Sequence, residues 1–305
     1  ILGLYFDAGG ALRFGLNAAA VSAAVALLAF GWSYAALPDT LSGKAYYEIL
    51  FWGGGHALQF TWTLLMLVAW LWLTSALGAR VPLSPRIALL MFLLALLCVF
   101  VTPYAYLAYP IASVEHRNLL TWAMRFGGGL AILPMSLAVL VALRPVSDLP
   151  AQSKPLRAAL ISSVILFAVG GMIGIFISGS NVKIPAHYHG SIVGVTLALM
   201  GLVYHLLPRL GYAAPAGRMA TLQPTLYGAG QLMHIVGLVW SGGYGVQRKV
   251  AGADQVLRGA GEIAGMGLMG LGGLIAIVGG LLFVIVVLRA MLGSDLPQPR
   301  NTISS

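Results

Sequence analysis

The sequence predicts an all-α integral membrane protein, a bundle of eight transmembrane helices in a single membrane domain over residues 1–305. Of its 305 residues, 59% are hydrophobic and only 8% are charged, whereas a soluble domain carries about 25% charged residues. The mean hydropathy of the chain is +0.91. The apolar residues fall into eight long runs joined by short connections. This composition excludes a soluble globular enzyme and a disordered binding segment.

Each apolar run is long enough to cross the hydrocarbon core of a bilayer, which takes about 20 helical residues. Prolines and serines interrupt the connections, as at 82–85 and 145–155, so we expect helices to end there. The first run lacks the basic flank and cleavage site of a signal peptide and is expected to remain as a helix. The predicted spans are residues 14–37, 49–78, 85–109, 119–143, 158–178, 186–207, 223–243 and 263–288.

Basic residues orient this bundle, because Lys and Arg concentrate on the cytoplasmic side of a membrane. Arg125 lies within the fourth span, and the other 16 of the 17 basic residues divide unequally between the two sides. We therefore expect a bacterial-type inner membrane protein with both termini on the cytoplasmic side. The side with more positive charge holds Arg13, Arg80, Arg86, Arg144, Lys154, Arg157, Arg209, Arg218, Arg289 and Arg300, and the outer side holds Lys44, Arg117, Lys183, Arg248, Lys249 and Arg258.

Two further features limit the partners and the chemistry. The basic residues sit singly between apolar runs and form no clustered stripe, so we expect no nucleic-acid partner. Arg248 and Lys249 are the exception, an adjacent outer pair that predicts an anionic ligand. The single cysteine, Cys98, excludes intrachain disulfides, CxxC redox pairs, covalent c-type haem and cysteine zinc sites. Any metal chemistry must therefore use the six histidines.

Polar side chains collect in one layer, the outer third of the predicted bundle. His56 lies near the outer end of the second span, Tyr104 near that of the third, and His187 and His189 near that of the sixth. Polar groups in hydrocarbon are costly and usually mark a functional site. A transporter would instead place them near the midplane, beside broken helices. The layer therefore favours a cofactor site near the outer surface.

The sequence His187-Tyr188-His189 is the sharpest motif. On a helix, residues i and i+2 point about 200° apart, so the two imidazoles cannot bind one metal ion together. They can serve two planar cofactors, one on each side of the helix, because a haem iron takes an axial imidazole. The spacing alone allows an equal alternative, in which both histidines lie at the interface and hydrogen-bond to lipid headgroups.

The stretch IPAHYHGSIVGVTLALMGLVYHLLPRLG, residues 184–211, resembles the tenth helix of subunit I in the haem-copper oxidase superfamily, especially the cbb-type oxygen reductases and the related nitric oxide reductases. The resemblance implies that His187 binds the high-spin haem and His189 the low-spin haem. It also implies that His205, at the cytoplasmic end of this helix, is structural.

Two other stretches resemble the same family. Residues 51–56, FWGGGH, are similar to the start of its sixth helix, which implies that His56 is a ligand of the second metal beside the high-spin haem. Residues 243–249, GYGVQRK, are similar to the loop between its eleventh and twelfth helices, which implies that Arg248 and Lys249 hold haem propionates. The eight spans then correspond to family helices five to twelve.

The sequence also departs from the family. Where the family has two adjacent histidines, residues 102–106 read TPYAY, and Tyr104 is the candidate catalytic residue there. We expect His116 to be solvated in an outer loop. One histidine, His56, is too few for the usual three-histidine site, which counts against copper or non-haem iron. The helix that supplies the second axial ligand of the low-spin haem in the family has no counterpart in this chain, and His234 is a candidate by residue type.

The resemblance implies a haem-binding subunit of a respiratory membrane oxidoreductase. Such a subunit carries two haems, b-type by resemblance to the cbb group, and passes electrons through the low-spin haem to the high-spin haem, which reduces O2 or NO. Its implied partners are other membrane subunits and an electron donor, namely a c-type cytochrome, a cupredoxin or a quinol. The alternative is a non-catalytic electron-transfer or structural subunit that keeps the haems and lacks copper.

Overall fold

The computed structural model describes residues 10–144, 149–178, 181–248, 250, 256–257 and 259–293, and these ranges are almost entirely helical. Within them the only extended pairing is an isolated bridge between Asn181 and Gln247. A 3₁₀ turn at Leu207–Leu210 follows α8. The helices are α1 (Ala11–Ala36), α2 (Gly43–Ala76), α3 (Pro85–Val99), α4 (Val101–Ala108), α5 (Val114–Gly127), α6 (Gly129–Leu143), α7 (Lys154–Ile175), α8 (Lys183–Leu206), α9 (Gly217–Gly243) and α10 (Ala260–Leu292).

The all-α class and the eight long helical segments are confirmed, counting α3 with α4 and α5 with α6 as one segment each. Among the described residues, seven segments are long and apolar enough to cross a membrane. The remaining segment is α9, which the sequence also predicts to span. It carries glutamine, histidine, threonine and glycine along its length and packs against α7, α8 and α10. These polar side chains and glycines lower the mean hydropathy of the segment.

Several helices begin before the predicted spans. α2 begins at Gly43 instead of residue 49, and α9 begins at Gly217 instead of residue 223. Their first turns contain Lys44 and Arg218, polar residues that a hydrophobic run leaves out. A helix that continues into the aqueous interface still satisfies its backbone hydrogen bonds internally. Apolar composition therefore marks the part of the helix inside the membrane and not the residues where the helix begins and ends.

The chain divides into two compact units, Ile1–Val146 and Ser147–Ser305. Each is described by itself, and the single membrane domain over residues 1–305 stays a prediction. In the first unit α2 is the most buried helix, and its side chains Trp70, Leu64 and Leu67 lie in the interior of the unit. Gly15 brings α1 close to it, since a Cβ there would lie 2.7 Å from Val68 and 2.9 Å from Phe92. α2, which carries His56, is therefore the central helix of this unit.

Two breaks interrupt the segments of the first unit. α3 ends at Val99 and α4 begins at Val101, and Pro103 lies in the first turn of α4. Proline has no N–H, and its ring crowds the carbonyl four residues earlier, here that of Val99. The second break is at Gly128, in the run Gly127-Gly128-Gly129 and ahead of Pro134. Glycine runs and prolines are the usual causes of such kinks.

In the second unit, glycines bring helix backbones into direct contact. A Cβ on Gly190 of α8 would lie 2.6 Å from the Cα of Gly170 on α7, and one on Gly230 of α9 would lie 2.5 Å from the backbone nitrogen of Ala276 on α10. Small residues allow this approach, which is the common way for helices to pack inside a membrane. The crossing at Gly170 and Gly190 determines which face of α7 His187 of α8 meets.

Candidate functional site

His187 packs its half-buried imidazole against α7. Its Nδ1 lies 2.7 Å from the backbone oxygen of Gly170, and a Cβ on Gly174 would lie 2.7 Å from the same nitrogen. A carbonyl oxygen can only accept, so Nδ1 carries the proton and donates it. In a neutral imidazole Nε2 then has the lone pair, which is the arrangement of a metal-binding histidine whose other nitrogen is held by a backbone carbonyl.

His189 meets a different helix. Its ring centroid lies 4.6 Å from that of His234 on α9, with an interplanar angle of 65°. The Nδ1 of His234 lies 2.9 Å from the backbone oxygen of Met269 on α10 and donates to it. His187 and His189 thus contact α7 and α9 respectively, on different sides of α8, which is the geometry that an i, i+2 pair on a helix requires.

The roles of His187 and His189 as axial ligands of two haems stay a prediction. As placed, the rings of His189 and His234 are too close to hold one iron between them. Metal–imidazole nitrogen bonds of about 2.0–2.1 Å put the centroids of two opposite ligands roughly 6 Å apart, against the observed 4.6 Å. His234 would serve as the second axial ligand only after one ring turned away, and that role stays a prediction.

The loop after α9 is tied to the start of α8. The backbone N–H of Val182 donates to the oxygen of Val246 at 3.0 Å, and Asn181 pairs with Gln247 in the isolated bridge. Arg248 follows directly and is half-buried. Lys249 lies outside the described residues. The tie holds the predicted propionate-binding loop at the end of α8 that carries the two histidines.

His205 lies far from these histidines on the same helix. Eighteen residues separate it from His187, which is about 27 Å along an α-helix. A single cofactor bound near His187 therefore does not reach it.

His56, on α2 in the first unit, has the same hydrogen-bond arrangement as His187. Its Nδ1 lies 2.6 Å from the backbone oxygen of Trp52, one turn earlier, and the two ring centroids are 4.5 Å apart. Nδ1 therefore donates to that oxygen and Nε2 keeps the lone pair. Trp52 also binds α5, because its indole N–H donates to the backbone oxygen of Arg117 at 3.3 Å and the Arg117 guanidinium lies 4.5 Å from its ring centroid.

His116 is not solvated, and that expectation is wrong. It lies in the first turn of α5 and its exposed fraction is only 2%. Neither of its ring nitrogens has a hydrogen-bond partner within the described part of the chain. A neutral imidazole has one donor and one acceptor nitrogen, so burial of this ring costs more than burial of an apolar side chain of the same size.

The helix start that buries His116 has a sequence signal. Ser113 is the N-cap of α5, and its Oγ accepts from the backbone N–H of His116 at 3.2 Å. Serine followed by Glu115 in the first turn is typical of a helix N-terminus. Read as a cap, Ser113 would have predicted a helix through residue 116 instead of a loop.

Tyr104 and Tyr106, both on α4, have opposite surroundings. The exposed fraction of Tyr104 is 58%, and its catalytic role stays a prediction. Tyr106 is buried, its Oη lies 2.6 Å from Ser33 Oγ, and its ring centroid lies 4.7 Å from that of His116 at 86°. Tyr106 also packs on Gly53 of α2, where a Cβ would collide with the phenol ring. The packing of Tyr106 against a buried His116 is the feature of this region that the sequence did not predict.

No group of three or more His, Cys, Asp or Glu side chains suited to a metal ion occurs within residues 10–144, 149–178, 181–248 and the shorter described ranges. Of the six histidines, His189 and His234 contact each other, whereas His56, His116, His187 and His205 lie at separate positions on α2, α5 and α8.

No protein-family model matches the sequence. The chain is 31% identical over 309 residues to the uncharacterized protein RP382 of Rickettsia prowazekii (strain Madrid E), which covers 88% of this chain and 60% of that protein. It is 29% identical over 222 residues to an uncharacterized protein of Aquifex aeolicus (strain VF5), covering 72% of this chain and 53% of that protein. The chain therefore spans between half and two thirds of the length of these relatives.

A solved structure is also similar. The cryo-EM structure of a haem-copper terminal oxidase dimer has a TM-score of 0.71 to this chain at 16% sequence identity, and the match covers 94% of this chain and 57% of that chain. At this identity the likeness shows the fold. The chain is a multi-pass membrane protein whose helices are arranged like part of that oxidase.

Proposed function

We propose that this chain is a haem-binding subunit of a respiratory membrane oxidoreductase in which electrons from a c-type cytochrome, a cupredoxin or a quinol reduce O2 or NO. The observation that carries the proposal is the position of His187 and His189 against two different helices in a fold similar to that of a haem-copper terminal oxidase. A headgroup role for both histidines does not account for the carbonyl that fixes Nδ1 of His187.

His187 is the ligand of the high-spin haem. The Gly170 carbonyl holds the proton on Nδ1, so the basic Nε2 is presented to the iron. Gly174 has no side chain, and the ring occupies the space that a Cβ would take. When bound, haem supplies an iron centre for electron transfer and, where one axial position is open, for binding a small molecule.

His189 is the ligand of the low-spin haem, and His234 supports it. The Met269 carbonyl orients the His234 ring, which contacts the His189 ring nearly edge-on and limits its rotation. Arg248 and Lys249 bind the haem propionates, since charge-assisted hydrogen bonds to carboxylates are among the strong ones. The backbone tie between Val182 and Val246 keeps this loop beside α8.

The second candidate function keeps the haems without catalysis. It is favoured by the residues 102–106, which carry tyrosines where the family has two histidines. The two functions differ in one property, since a catalytic subunit needs a haem that binds an external ligand. Carbon monoxide added to the reduced protein measures that property directly.

The test uses the full chain, expressed with haem available and purified in detergent. Optical spectra of wild type should show a haem whose spectrum shifts with carbon monoxide and, once the His234 ring turns to complete the coordination at His189, a six-coordinate haem. His187→Ala should remove the carbon monoxide-sensitive signal and leave the six-coordinate one, and His189→Ala should do the reverse. His205→Gln, on the same helix about 27 Å away, is the matched control and should change neither.

Two outcomes decide against the proposal. Wild-type protein that is folded by circular dichroism and carries no haem would reject the haem assignment. Haem present in both histidine variants with unchanged spectra would reject these ligands. A six-coordinate spectrum that does not respond to carbon monoxide would select the non-catalytic function.

A further inference from the structure

We propose that the exposed side of α5 around Arg125 binds a transmembrane helix of a partner subunit, and that this helix carries a carboxylate that pairs with the arginine. The inference goes beyond the proposed function, because Arg125 lies in the first unit and the proposed haem ligands His187 and His189 lie in the second. It starts from an unusual place for a charge. Arg125 is exposed in the last turn of α5, within Val114–Leu143, a segment long and apolar enough to cross a membrane.

The position of Arg125 along this segment places it inside the hydrocarbon. Val114–Leu143 has 30 residues, about 45 Å of helix, which equals the thickness of a bilayer with its headgroups and leaves roughly 7 Å at each end outside the hydrocarbon. Arg125 follows Val114 by 11 residues, about 16 Å along the helix. Its Cα is therefore roughly 9 Å below the nearer edge of the hydrocarbon.

Among its described residues, the first unit offers no carboxylate at this depth. Glu115 is the nearest in sequence and precedes Arg125 by ten residues, about 15 Å along the helix. An ionised side chain in hydrocarbon is costly and is almost always paired, so Arg125 calls for a partner from outside the described part of this unit. The acidic residues described in the unit lie in a connection or in the first two turns of a helix, and they are Asp39, Glu48 and Glu115.

The guanidinium of Arg125 lies beside an apolar ring. Its Cζ is 5.7 Å from the ring centroid of Phe126, the next residue inward, and the Phe126 ring centroid is 5.5 Å from that of Trp122. An arginine that snorkels keeps its charge among the headgroups. The contact with Phe126 instead keeps the charge of Arg125 within the membrane segment.

The surroundings of Arg125 favour a helix as its partner. Trp122 and Phe126 are 64% and 57% exposed, and the exposed side chains of Leu130 and Leu133 continue this surface on α6. Aromatic residues and arginine are the types that contribute most to binding at protein interfaces. A transmembrane helix satisfies its own backbone groups and can present a carboxylate at any depth, whereas a lipid phosphate stays in the headgroup layer. Arginine and a carboxylate can form two parallel hydrogen bonds, which are among the strong ones.

The experiment measures binding of the purified full chain to model transmembrane helices in phosphatidylcholine vesicles at mildly alkaline pH. The probes are leucine-rich peptides with lysines at both ends and a dansyl group, and they differ only at one central position, which is Glu, Gln or Leu. Energy transfer from the tryptophans of the chain, Trp122 among them, reports association. Wild type should bind the Glu peptide at least tenfold more tightly than the Leu peptide, and Arg125→Leu should bind all three peptides alike.

Arg117→Leu is the matched control. Arg117 is an exposed arginine of the same helix, but it lies in the first turn, near the membrane surface, so its loss should leave the preference for the Glu peptide intact. Arg125→Leu should also keep the wild-type melting temperature in detergent, because the contact described for its guanidinium is with one neighbouring ring. A lowered melting temperature would assign Arg125 a structural role within the unit instead.

Three further results would overturn the inference. They are equal binding of the Glu and Leu peptides by wild type, a Glu preference that survives in Arg125→Leu, and a preference that disappears when phosphatidylglycerol is added, which would assign the arginine to an anionic lipid. The haem spectra of Arg125→Leu should match those of wild type. A chain that carries no haem and still prefers the Glu peptide would reject the proposed function and support this inference.

Discussion

A single glycine governs the orientation of the His187 ring. Gly174→Ala would place a Cβ 2.7 Å from Nδ1 and 2.8 Å from Cε1 of this histidine, closer than nonbonded atoms approach, so the ring must turn and its bond to Gly170 must weaken. We expect this variant to lose most of the carbon monoxide-sensitive haem signal. Optical titration of the reduced protein measures the loss.

The control for this variant lies three residues earlier on the same helix. Gly171 has open space around its Cβ position, so Gly171→Ala has the same effect on helix propensity without a contact to His187. It should keep the wild-type spectrum. Equal spectra for both variants would show that the Gly174 contact does not orient the ring.

The hydrogen bond between Ser33 and Tyr106 is the second residue-scale test. Both residues are buried and their oxygens lie 2.6 Å apart. Tyr106→Phe leaves the serine hydroxyl without this partner and should lower the free energy of unfolding by about 1–3 kcal/mol. Adding Ser33→Ala should cost less than the sum of the two single changes, because the pair is removed together. Unfolding in detergent measures this double-mutant cycle, and strict additivity would argue against the bond.

At the scale of elements, glycine contact holds α9 and α10 together. A Cβ on Gly272 would lie 2.6 Å from the backbone oxygen of Gly230 and 2.9 Å from the Cα of His234. Gly272→Val should therefore push the helices apart and destabilise the protein by about 1–3 kcal/mol or more. It should also alter the low-spin haem spectrum, because it displaces His234. Thermal unfolding and optical spectra measure the two effects.

Gly270 is the matched position on the same helix. It is exposed and has open space at its Cβ position, so Gly270→Val changes backbone freedom equally without separating the helices. We expect its melting temperature to stay near that of wild type. A large loss of stability in this variant would point to helix propensity and not to helix packing.

The elements show why some of the structure could be predicted and some could not. Runs such as residues 85–109 mark a helix because hydrocarbon demands about 20 apolar residues, and the structure has helix over nearly the same range. The break at Phe100 depends on Pro103 crowding the previous turn, which hydropathy does not record. The burial of His116 involves Tyr106 of α4, whose ring packs edge-on against it, and hydropathy does not record such a contact between two helices.

At the scale of the whole molecule, the distribution of basic residues predicts the direction of every helix. Cys98 is the single cysteine, so after Cys98→Ala any introduced cysteine can be labelled alone. In intact bacterial cells, K44C should react with a membrane-impermeant maleimide and R80C should not. R80C should react only after the membrane is opened. Labelling of R80C in intact cells would reverse the predicted topology.

The polarity of α9 has a consequence for how the protein enters the membrane. α9 is not among the segments apolar enough to span by themselves, whereas α10 is strongly apolar, and the two pack backbone to backbone through Gly230 and Gly272. A helix that partitions poorly into lipid can enter the bilayer together with a more apolar helix that packs against it. We expect α9 to stay in the translocon until α10 has been synthesised, so insertion of this pair is a single late event in biogenesis.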